Sequence, residues 1–355
     1  MINLKKWFYE RTGIEVILGF LKKKQVPDHK YTFWYYPGSI LLFLIIVQII
    51  TGCLLLLYYK PTMETAYESV SFITKYLPFG SFLRSLHTWC SNLIIAIAFI
   101  HMFSTFFLKS YRPPREIIWI SGTFLMFILL TFGFSGYLLP WNELSLFATS
   151  VGTQIAGSMP IIGKYLLLFL RGGEYISGDT LTRFFALHVI ILPLVLLALA
   201  AIHVSLIQHH GMSVPPSVES SPARKKDIPF YPDFLLYDLI NCLFVFSGLV
   251  ILALFLPKEL GIKADLLAPA PAGIKPEWYF LFMFETLKLI PSKILSFEGK
   301  QLGVIIFALG AVFLICIPFL DRWSAKNKRS PLFTLIGFGI LIYIFAMTAI
   351  SYLGK

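Results

Sequence analysis

Seven long apolar stretches constrain the fold of this chain more than any other feature of its sequence. A helix needs about 20 apolar residues to cross the roughly 30 Å hydrocarbon core of a bilayer. Lipid also offers no hydrogen-bond partners to irregular backbone, so a spanning segment of this kind must be helical. The stretches lie near residues 38–58, 82–108, 116–139, 182–207, 234–256, 302–320 and 331–353. They predict an all-α integral membrane protein with seven transmembrane helices.

Composition and charge agree with a membrane protein. The chain is 57% hydrophobic and only 14% charged, whereas soluble domains carry about a quarter charged residues. The net charge of +11 is spread over the gaps between apolar stretches, which argues against a nucleic-acid partner. Lys and Arg are densest in the N-terminal segment and after the second, fourth and sixth stretches. The positive-inside rule therefore predicts a cytoplasmic N-terminus and a C-terminus on the outer side.

The spacing of the stretches predicts four regions. Residues 1–37 form an N-terminal cytoplasmic and interfacial segment, in which 4–24 is predicted to be an amphipathic helix on the membrane surface. Residues 38–210 form a four-helix domain, 211–232 a polar linker, and 233–355 a three-helix domain. The long connections 140–181 and 257–301 fall on the outer side, where binding sites are expected.

Four of the seven histidines lie inside predicted helices, where polar side chains are costly and usually functional. His87 and His101 are 14 residues apart on the second helix, and His188 and His203 are 15 apart on the fourth. Each helix thus presents two imidazoles near one face, separated by about 21 Å along its axis. The two helices run in the same direction, so His87 faces His188 near the outer side and His101 faces His203 near the inner side. Two imidazoles across a gap are the arrangement for a bis-histidine haem, which predicts two haems for electron transfer.

Glycines and arginines at matching depths support this prediction. Gly38 and Gly52 on the first helix, and Gly122 and Gly136 on the third, are also 14 residues apart and would let a flat macrocycle pass close to the backbone. Arg84 and Arg183 precede the outer histidines and could pair with haem propionates, or extend to the membrane interface instead.

Alternatives to a dihaem electron carrier are open at this stage. Each histidine could simply hydrogen-bond a neighbouring helix, and the charged groups could belong to a transporter, although no inverted repeat is visible. A dihaem membrane anchor of another respiratory oxidoreductase is a further alternative.

Three motifs resemble cytochrome b of the bc-type quinol:cytochrome c oxidoreductase complexes. They are the run from Gly136 to Asn142 (GYLLPWN), the run from Leu181 to His188 (LTRFFALH), and Pro276-Glu-Trp-Tyr279. The 15-residue histidine spacing and the seven spans resemble the b6-type branch, as if the four-helix cytochrome were fused to its three-helix companion subunit. The resemblance implies quinol oxidation, electron transfer through two b haems to a quinone-reduction site, and proton translocation.

The resemblance also implies roles for particular residues. Glu277 would accept a proton from quinol at the outer site with Tyr279 beside it, and Asp238 would protonate quinone at the inner site. Quinol binding and docking of a Rieske-type iron–sulfur protein would involve Tyr137, Pro140, Trp141, Asn142, Pro276 and Trp278.

Partners and membrane follow from the same resemblance. They are the iron–sulfur protein, a c-type cytochrome, quinone, the lipid of a bacterial cytoplasmic membrane, and a second copy of the complex in a homodimer. Tyr35 stands where split-type relatives carry the cysteine that attaches an extra haem, so we expect no covalent third haem.

Overall fold

The computed structural model describes residues 4–221, 226–271, 273–294, 296–326 and 330–354; residues 222–225 of the predicted linker therefore lie outside it. Within the described residues, seven helices are long and apolar enough to cross a membrane, which confirms the seven predicted spans and the all-α class. The spans run over Thr32–Leu56, Gly80–Phe107, Glu116–Leu138, Gly178–His210, Phe230–Phe255, Gly299–Lys326 and Pro331–Leu353. The largest differences are six residues at the start of the first span and at the end of the sixth.

The chain contains fifteen α-helices and four short strands in its described residues. In order they are α1 (Leu4–Thr12), α2 (Ile14–Lys23), β1 (Gln25–Asp28), α3 (Tyr36–Leu56), α4 (Ala66–Lys75), α5 (Gly80–Phe107), α6 (Glu116–Leu138), α7 (Glu143–Gly157), α8 (Gly163–Arg171), α9 (Gly178–Ala186), α10 (Leu192–His210), α11 (Pro216–Glu219), β2 (Lys226–Pro229), α12 (Leu235–Phe255), α13 (Leu281–Leu289), β3 (Lys293–Ile294), β4 (Phe297–Glu298), α14 (Gly299–Leu320) and α15 (Pro331–Leu353). The spans are built on α3, α5, α6, α9 with α10, α12, α14 and α15.

Helix α5 is the central helix of the bundle. In the apolar stretch of this span 39% of the residues are buried, whereas the buried share in the other six spans is 11–28%. It packs against α3, α6 and α12, while α6 packs against α10 and α14, and α13 packs against α15. The main buried cluster joins Leu44, Leu86, Ile94, Met126 and Leu249 from four of these helices. The apolar side chains left on the outer faces of the spans match the lipid tails that would surround them.

The N-terminal segment departs from the predicted single helix. It contains two helices, α1 and α2, because Gly13 between them has φ +62°, a left-handed conformation that interrupts the helix. Strand β1 then pairs antiparallel with β2, with Val26 opposite Ile228, and this two-stranded sheet joins the N-terminal segment to the residues before α12.

The long connections are also more regular than the sequence indicates. The region 140–181 contains α7 and α8, which pack against each other, and 257–301 contains α13 and the hairpin of β3 and β4. Arg171 stabilises the first region: its buried guanidinium donates hydrogen bonds to Thr153 Oγ1, Ser150 O and Glu174 O at 2.7–2.9 Å.

Candidate functional site

The outer histidines line one cavity. His87 on α5 and His188 at the junction of α9 and α10 both border a cavity of about 330 Å³. The two imidazoles are close enough to interact electrostatically. Arg84 and Pro140 line the same cavity, whose other lining residues are mostly apolar. We call this end of the bundle, which also carries the 140–181 and 257–301 connections, the outer face.

The inner histidines form a second facing pair. His101 on α5 and His203 on α10 are also close enough to interact electrostatically. The 14-residue separation on α5 puts this pair about 21 Å from the outer one along the helix axis. The structure thus brings the four histidines together in the two pairs that the spacing predicts. In the described part of the chain, no three His, Cys, Asp or Glu side chains converge as they would around a zinc ion.

A π turn explains how a 15-residue spacing on the fourth span matches a 14-residue spacing on the second. Residues Leu187–Ile191, which include His188, form a π-helical turn between α9 and α10. A π turn accommodates one extra residue, so His203 returns to nearly the same face as it would after 14 α-helical residues. Fifteen residues of straight α-helix would offset His203 from His188 by about 60°, and the π turn makes the real offset smaller.

Each of the four predicted glycines lies against one histidine ring. A Cβ added to Gly38, Gly52 or Gly122 would lie 3.1–3.2 Å from the Cε1 atom of His101, His87 or His203, respectively. At Gly136 the Cβ would be only 2.5 Å from His188 Cε1. The glycines on α3 and α6 therefore make room for the imidazole rings themselves. The edge of each ring lies against the helix backbone at a glycine.

Hydroxyl groups fix three of the imidazoles. Thr51, Ser135 and Ser121 lie 2.9, 3.1 and 2.9 Å from Nδ1 of His87, His188 and His203. Each hydroxyl donates its own hydrogen to a backbone carbonyl one turn earlier, so it accepts from the histidine N–H. Nε2 of each ring then keeps its lone pair, as a metal ligand requires.

These hydroxyl residues escaped the sequence analysis although a signal for them was present. Each one directly precedes a ring-contacting glycine, in Thr51-Gly52, Ser121-Gly122 and Ser135-Gly136. The fourth glycine follows Pro37, and His101 Nδ1 is accordingly buried without a hydrogen-bond partner. Gln48 is a further residue that was missed: its amide donates to His87 Nε2 at 3.2 Å, on the nitrogen that a metal would use.

The two predicted arginines differ in position. Arg84 lines the outer cavity, and its Nε and Nη2 are buried without hydrogen-bond partners, so an acidic group entering the cavity would satisfy them. Arg183 is exposed and donates to the carbonyl of Phe169 at 3.1 Å. Facing imidazoles, a cavity beside the outer pair and two buried arginine nitrogens without partners fit a flat, acidic, iron-bearing group such as haem, which would displace the Gln48 amide from His87 Nε2.

Glu277 lines a separate outer cavity of about 580 Å³ together with Tyr137, Pro276 and Trp278. Burial raises the pKa of the Glu277 carboxyl above its usual range, and the positive charge of Lys258 opposes that rise. A carboxyl group with a raised pKa in a pocket can accept and release a proton near neutral pH.

The residues after Glu277 hold this segment against the bundle. The Trp278 indole donates to Asn92 Oδ1 on α5 at 2.8 Å. Tyr279 is 5% exposed and fits under α6, where a Cβ on Gly133 would meet its hydroxyl at 2.5 Å. Burial and the neighbouring Glu277 raise the pKa of Tyr279, so its phenol is neutral at physiological pH.

The segment after α6 lies between the histidine cavity and the core of the outer face. Pro140 borders the histidine cavity, and Trp141 is 2% exposed with φ +49°. Asn142 caps α7 by accepting from Ser145 N at 2.8 Å, and its amide donates to Leu260 O at 2.6 Å. Trp141 and Asn142 thus fix the backbone of the outer face, and the buried Trp141 cannot itself contact a docked protein.

On the inner side, Asp238 on α12 is half-buried and accepts a hydrogen bond from Ser39 on α3. Ser39 follows Gly38, which contacts His101, so the carboxylate lies one residue away from the backbone that supports the inner pair. Tyr35 has a structural contact instead of a covalent one: its hydroxyl donates to Ser213 O and lies 2.8 Å from His29 Nε2.

These features define a class: a helical membrane protein whose second and fourth spans carry two facing pairs of histidines. Two family models match the chain, one described as Cytochrome b/b6/petB over residues 21–211 and one as Cytochrome b(C-terminal)/b6/petD over residues 263–355. The chain belongs to the cytochrome b/b6 family.

Individual relatives agree with that membership. A cytochrome bc complex cytochrome b subunit of Chlorobaculum thiosulfatiphilum is 48% identical over 344 residues, which are 96% of this chain and 78% of that protein. Cytochrome b6 of Heliobacterium mobile is 40% identical over 59% of this chain and 99% of its own length. A solved chain described as Hyperthermophilic respiratory Complex III superimposes with a TM-score of 0.86 at 31% identity, over 98% of this chain and 91% of that one. The matches favour a cytochrome b over a dihaem anchor or a transporter.

Proposed function

We propose which residues of this chain bind haem, oxidise quinol and reduce quinone. The chain is the cytochrome b subunit of a bc-type quinol:cytochrome c oxidoreductase. The family implies b-type haem and quinone. We assign one haem to His87 and His188 near the outer face and a second to His101 and His203 near the inner face. The observation that carries the assignment is the pair of facing imidazoles at each of two depths, with every ring edge against a glycine.

Histidines of the chain would bind the iron of each haem, and arginines would bind propionates at the edge of the macrocycle. The four Nε2 atoms would ligate the iron, and the hydroxyls of Thr51, Ser135 and Ser121 fix the tautomer of three of the histidines. Arg84, whose Nε and Nη2 have no hydrogen-bond partner, would bind a propionate of the outer haem. Arg183 would bind a propionate only after leaving the carbonyl of Phe169. Gly38, Gly52, Gly122 and Gly136 leave room for the rings. When bound, the two haems supply one-electron transfer between the faces of the membrane.

Quinol oxidation is assigned to the outer cavity that Glu277 lines. The Glu277 carboxylate accepts a proton from the quinol hydroxyl, and the buried Tyr279 lies beside Glu277. Burial raises the pKa of Glu277, which makes its carboxylate a stronger base, and the positive charge of Lys258 opposes that rise and favours loss of the proton. Pro276 and Trp278 position this segment, because the indole is bonded to Asn92.

Quinone reduction is assigned to the inner side at Asp238. Its carboxyl group would deliver a proton to the reduced quinone, and Ser39 orients that carboxyl group. Protons would thus leave on the outer side and enter on the inner side, which stores energy as a gradient. We place the N-terminus and Asp238 on the cytoplasmic side of a bacterial cytoplasmic membrane, and the C-terminus outside.

Other subunits complete the reaction. Membership in a bc-type complex implies an iron–sulfur protein and a c-type cytochrome. We assign the docking of a Rieske-type iron–sulfur protein to the outer face beside Tyr137 and Pro140, with Trp141 and Asn142 fixing the backbone there. The complex is proposed to be a homodimer, without a covalent third haem, because Tyr35 has no thiol. We keep the four regions predicted from the sequence as the domain division.

Turnover of the complex in proteoliposomes tests the assignment of quinol oxidation to Glu277. We expect Glu277→Gln to abolish most quinol-driven cytochrome c reduction while the complex keeps its haem, because glutamine cannot accept the proton. Glu259→Gln, at an exposed glutamate of the same connection, is the matched control and should leave turnover unchanged. Equal turnover in Glu277→Gln and Glu259→Gln would contradict the assignment.

A further inference from the structure

One face of α5 lies against the cavity that Glu277 lines. Trp89 and Asn92 border that cavity at helical spacing, and Ser85 lies one turn before Trp89 on the same face. His87 is two residues after Ser85, which puts it about 200° away around the helix. The haem ligand of α5 and this face therefore serve different sites, and the face is available for a role in quinol oxidation.

This face of α5 fixes the residues that follow α12. The fully buried Ser85 hydroxyl accepts a hydrogen bond from the backbone N–H of Lys258 at 3.0 Å. The Trp89 indole N–H donates to Leu256 O at 2.8 Å, just after the end of α12, where carbonyls have no helical partner. Two contacts one turn apart on α5 thus hold the backbone on both sides of Pro257.

The same indole holds the Lys258 side chain. The Lys258 Nζ lies 3.9 Å from the centre of the Trp89 ring, and tryptophan is the aromatic side chain that binds a cation best. Lys258 lines the cavity together with Glu277, and its positive charge acts on that carboxyl group. Without the ring, the flexible four-carbon stem would leave the ammonium free to move away from the cavity.

The other titratable groups around Glu277 cannot replace Lys258. Lys275 also borders the cavity, but its Nζ donates to two carbonyls at the end of α15, at 2.5 and 3.5 Å. Tyr137 and Tyr279, the two phenols near Glu277, carry no positive charge. Of the two lysines of the cavity, Lys258 is therefore the one that acts on the carboxyl group.

The Glu277 segment is held one turn further along the same face. Asn92 Oδ1 accepts the indole N–H of Trp278 at 2.8 Å, and Trp278 directly follows Glu277. Asn92 is three residues after Trp89, so neighbouring positions of one rigid helix hold the Glu277 segment and the Lys258 ammonium. The helix therefore fixes the separation between the carboxyl group and the cation.

We propose that Trp89 is a positioning residue for quinol oxidation: its ring holds the Lys258 ammonium beside the Glu277 carboxyl group and thereby favours release of the proton taken from quinol. This inference rests on the proposed role of Glu277 as the base. It gives α5 a function besides haem ligation, because the helix then also controls the charge that faces the base.

The pH dependence of quinol oxidation by the purified complex tests the proposal. Only the carboxylate form of Glu277 accepts a proton, so moving a positive charge away raises the pKa of Glu277 and shifts the rise of the rate to higher pH. We expect Trp89→Leu to shift that rise by about half a pH unit, a rate about threefold lower on the acid side, with an unchanged haem spectrum. Trp89→Phe keeps an aromatic face and should shift it less.

Three further variants separate positioning of the cation from packing. Trp89→Gln lacks the ring but can still donate to Leu256 O, and it should shift the profile as Trp89→Leu does. Adding Trp89→Leu to Lys258→Met should cause no further shift, because no ammonium remains to be positioned. Lys263→Met removes an exposed lysine of the same connection that does not border the cavity, and it should keep the wild-type profile.

The proposal is overturned if Trp89→Leu and Trp89→Gln lower the rate equally at every pH, or if their shift adds to that of Lys258→Met. Failure of the base assignment is distinguishable from this result, because it would appear as unchanged turnover in Glu277→Gln.

Discussion

Gly136→Ala is the substitution that should damage the outer histidine pair most selectively. The added methyl group would lie 2.5 Å from His188 Cε1, and also 3.1 Å from Nδ1 and 3.2 Å from Nε2 of that ring. Carbon atoms in contact normally lie about 3.5–4.0 Å apart, so the ring must retreat by about 1 Å. That movement would carry Nε2 away from the position that ligates iron.

The size of the effect follows from the cost of inserting a methylene group into a packed site. Such substitutions cost about 1–3 kcal/mol, and the severe overlap at Gly136 puts it near the upper end. With about 1.4 kcal/mol for each factor of ten, we expect haem at the outer pair to bind about 100-fold more weakly. At Gly38, Gly52 and Gly122 the overlap is only a few tenths of an ångström, and alanine there should cost about 1 kcal/mol.

The assay is haem content and the reduced-minus-oxidised spectrum of the purified complex. Gly248→Ala is the matched control, because Gly248 lies in the fifth span with no atom within 4 Å of an added Cβ. Alanine there should leave both haems in place and slightly favour the helix. If Gly136→Ala keeps both haems at wild-type affinity, or loses no more haem than Gly248→Ala, the reasoning from the ring contact is refuted.

Three further predictions concern neighbouring groups. Ser135→Ala removes the acceptor of His188 Nδ1–H and should weaken the outer haem about 10- to 100-fold in a haem-transfer assay, without affecting the inner haem. Lys258→Met removes the charge that lowers the pKa of Glu277; because the carboxylate is the active form, the rise of the quinol oxidation rate with pH should move to higher pH, and a shift to lower pH would contradict the assignment. Tyr111→Phe leaves a buried Asp321 oxygen without its donor and should lower stability by about 1–3 kcal/mol, seen as a lower Tm with unchanged haem content.

Much of the fold was predictable because membrane helices are specified by length and apolarity alone. The third and seventh spans were predicted to within one residue at each end. The prediction failed where local backbone geometry decides: Gly13 breaks the N-terminal helix, and the outer connections contain α7, α8 and α13. These short helices depend on capping by residues such as Asn142 and on burial against the bundle, which hydropathy does not detect.

The histidine pairs were also predictable, since 14-residue spacing recurs on three helices. Two parts of the site were not. The π turn at His188 has no signature in hydropathy or residue spacing, so the 15-residue spacing alone does not show that the two histidines share a face. The hydrogen-bonding roles of Thr51, Ser121 and Ser135 depend on which face of α3 or α6 meets a ring, and this requires the relative rotation of packed helices.

The measurement that tests the central claim most directly is a pyridine haemochrome assay with iron analysis on the purified complex and on two single variants. We expect two b haems per chain in the wild-type protein and one in each of His87→Ala and His101→Ala. The two lost components should differ and together reproduce the wild-type difference spectrum. A folded wild-type protein without b haem, or loss of the same component in both variants, would contradict the assignment of one haem to each histidine pair.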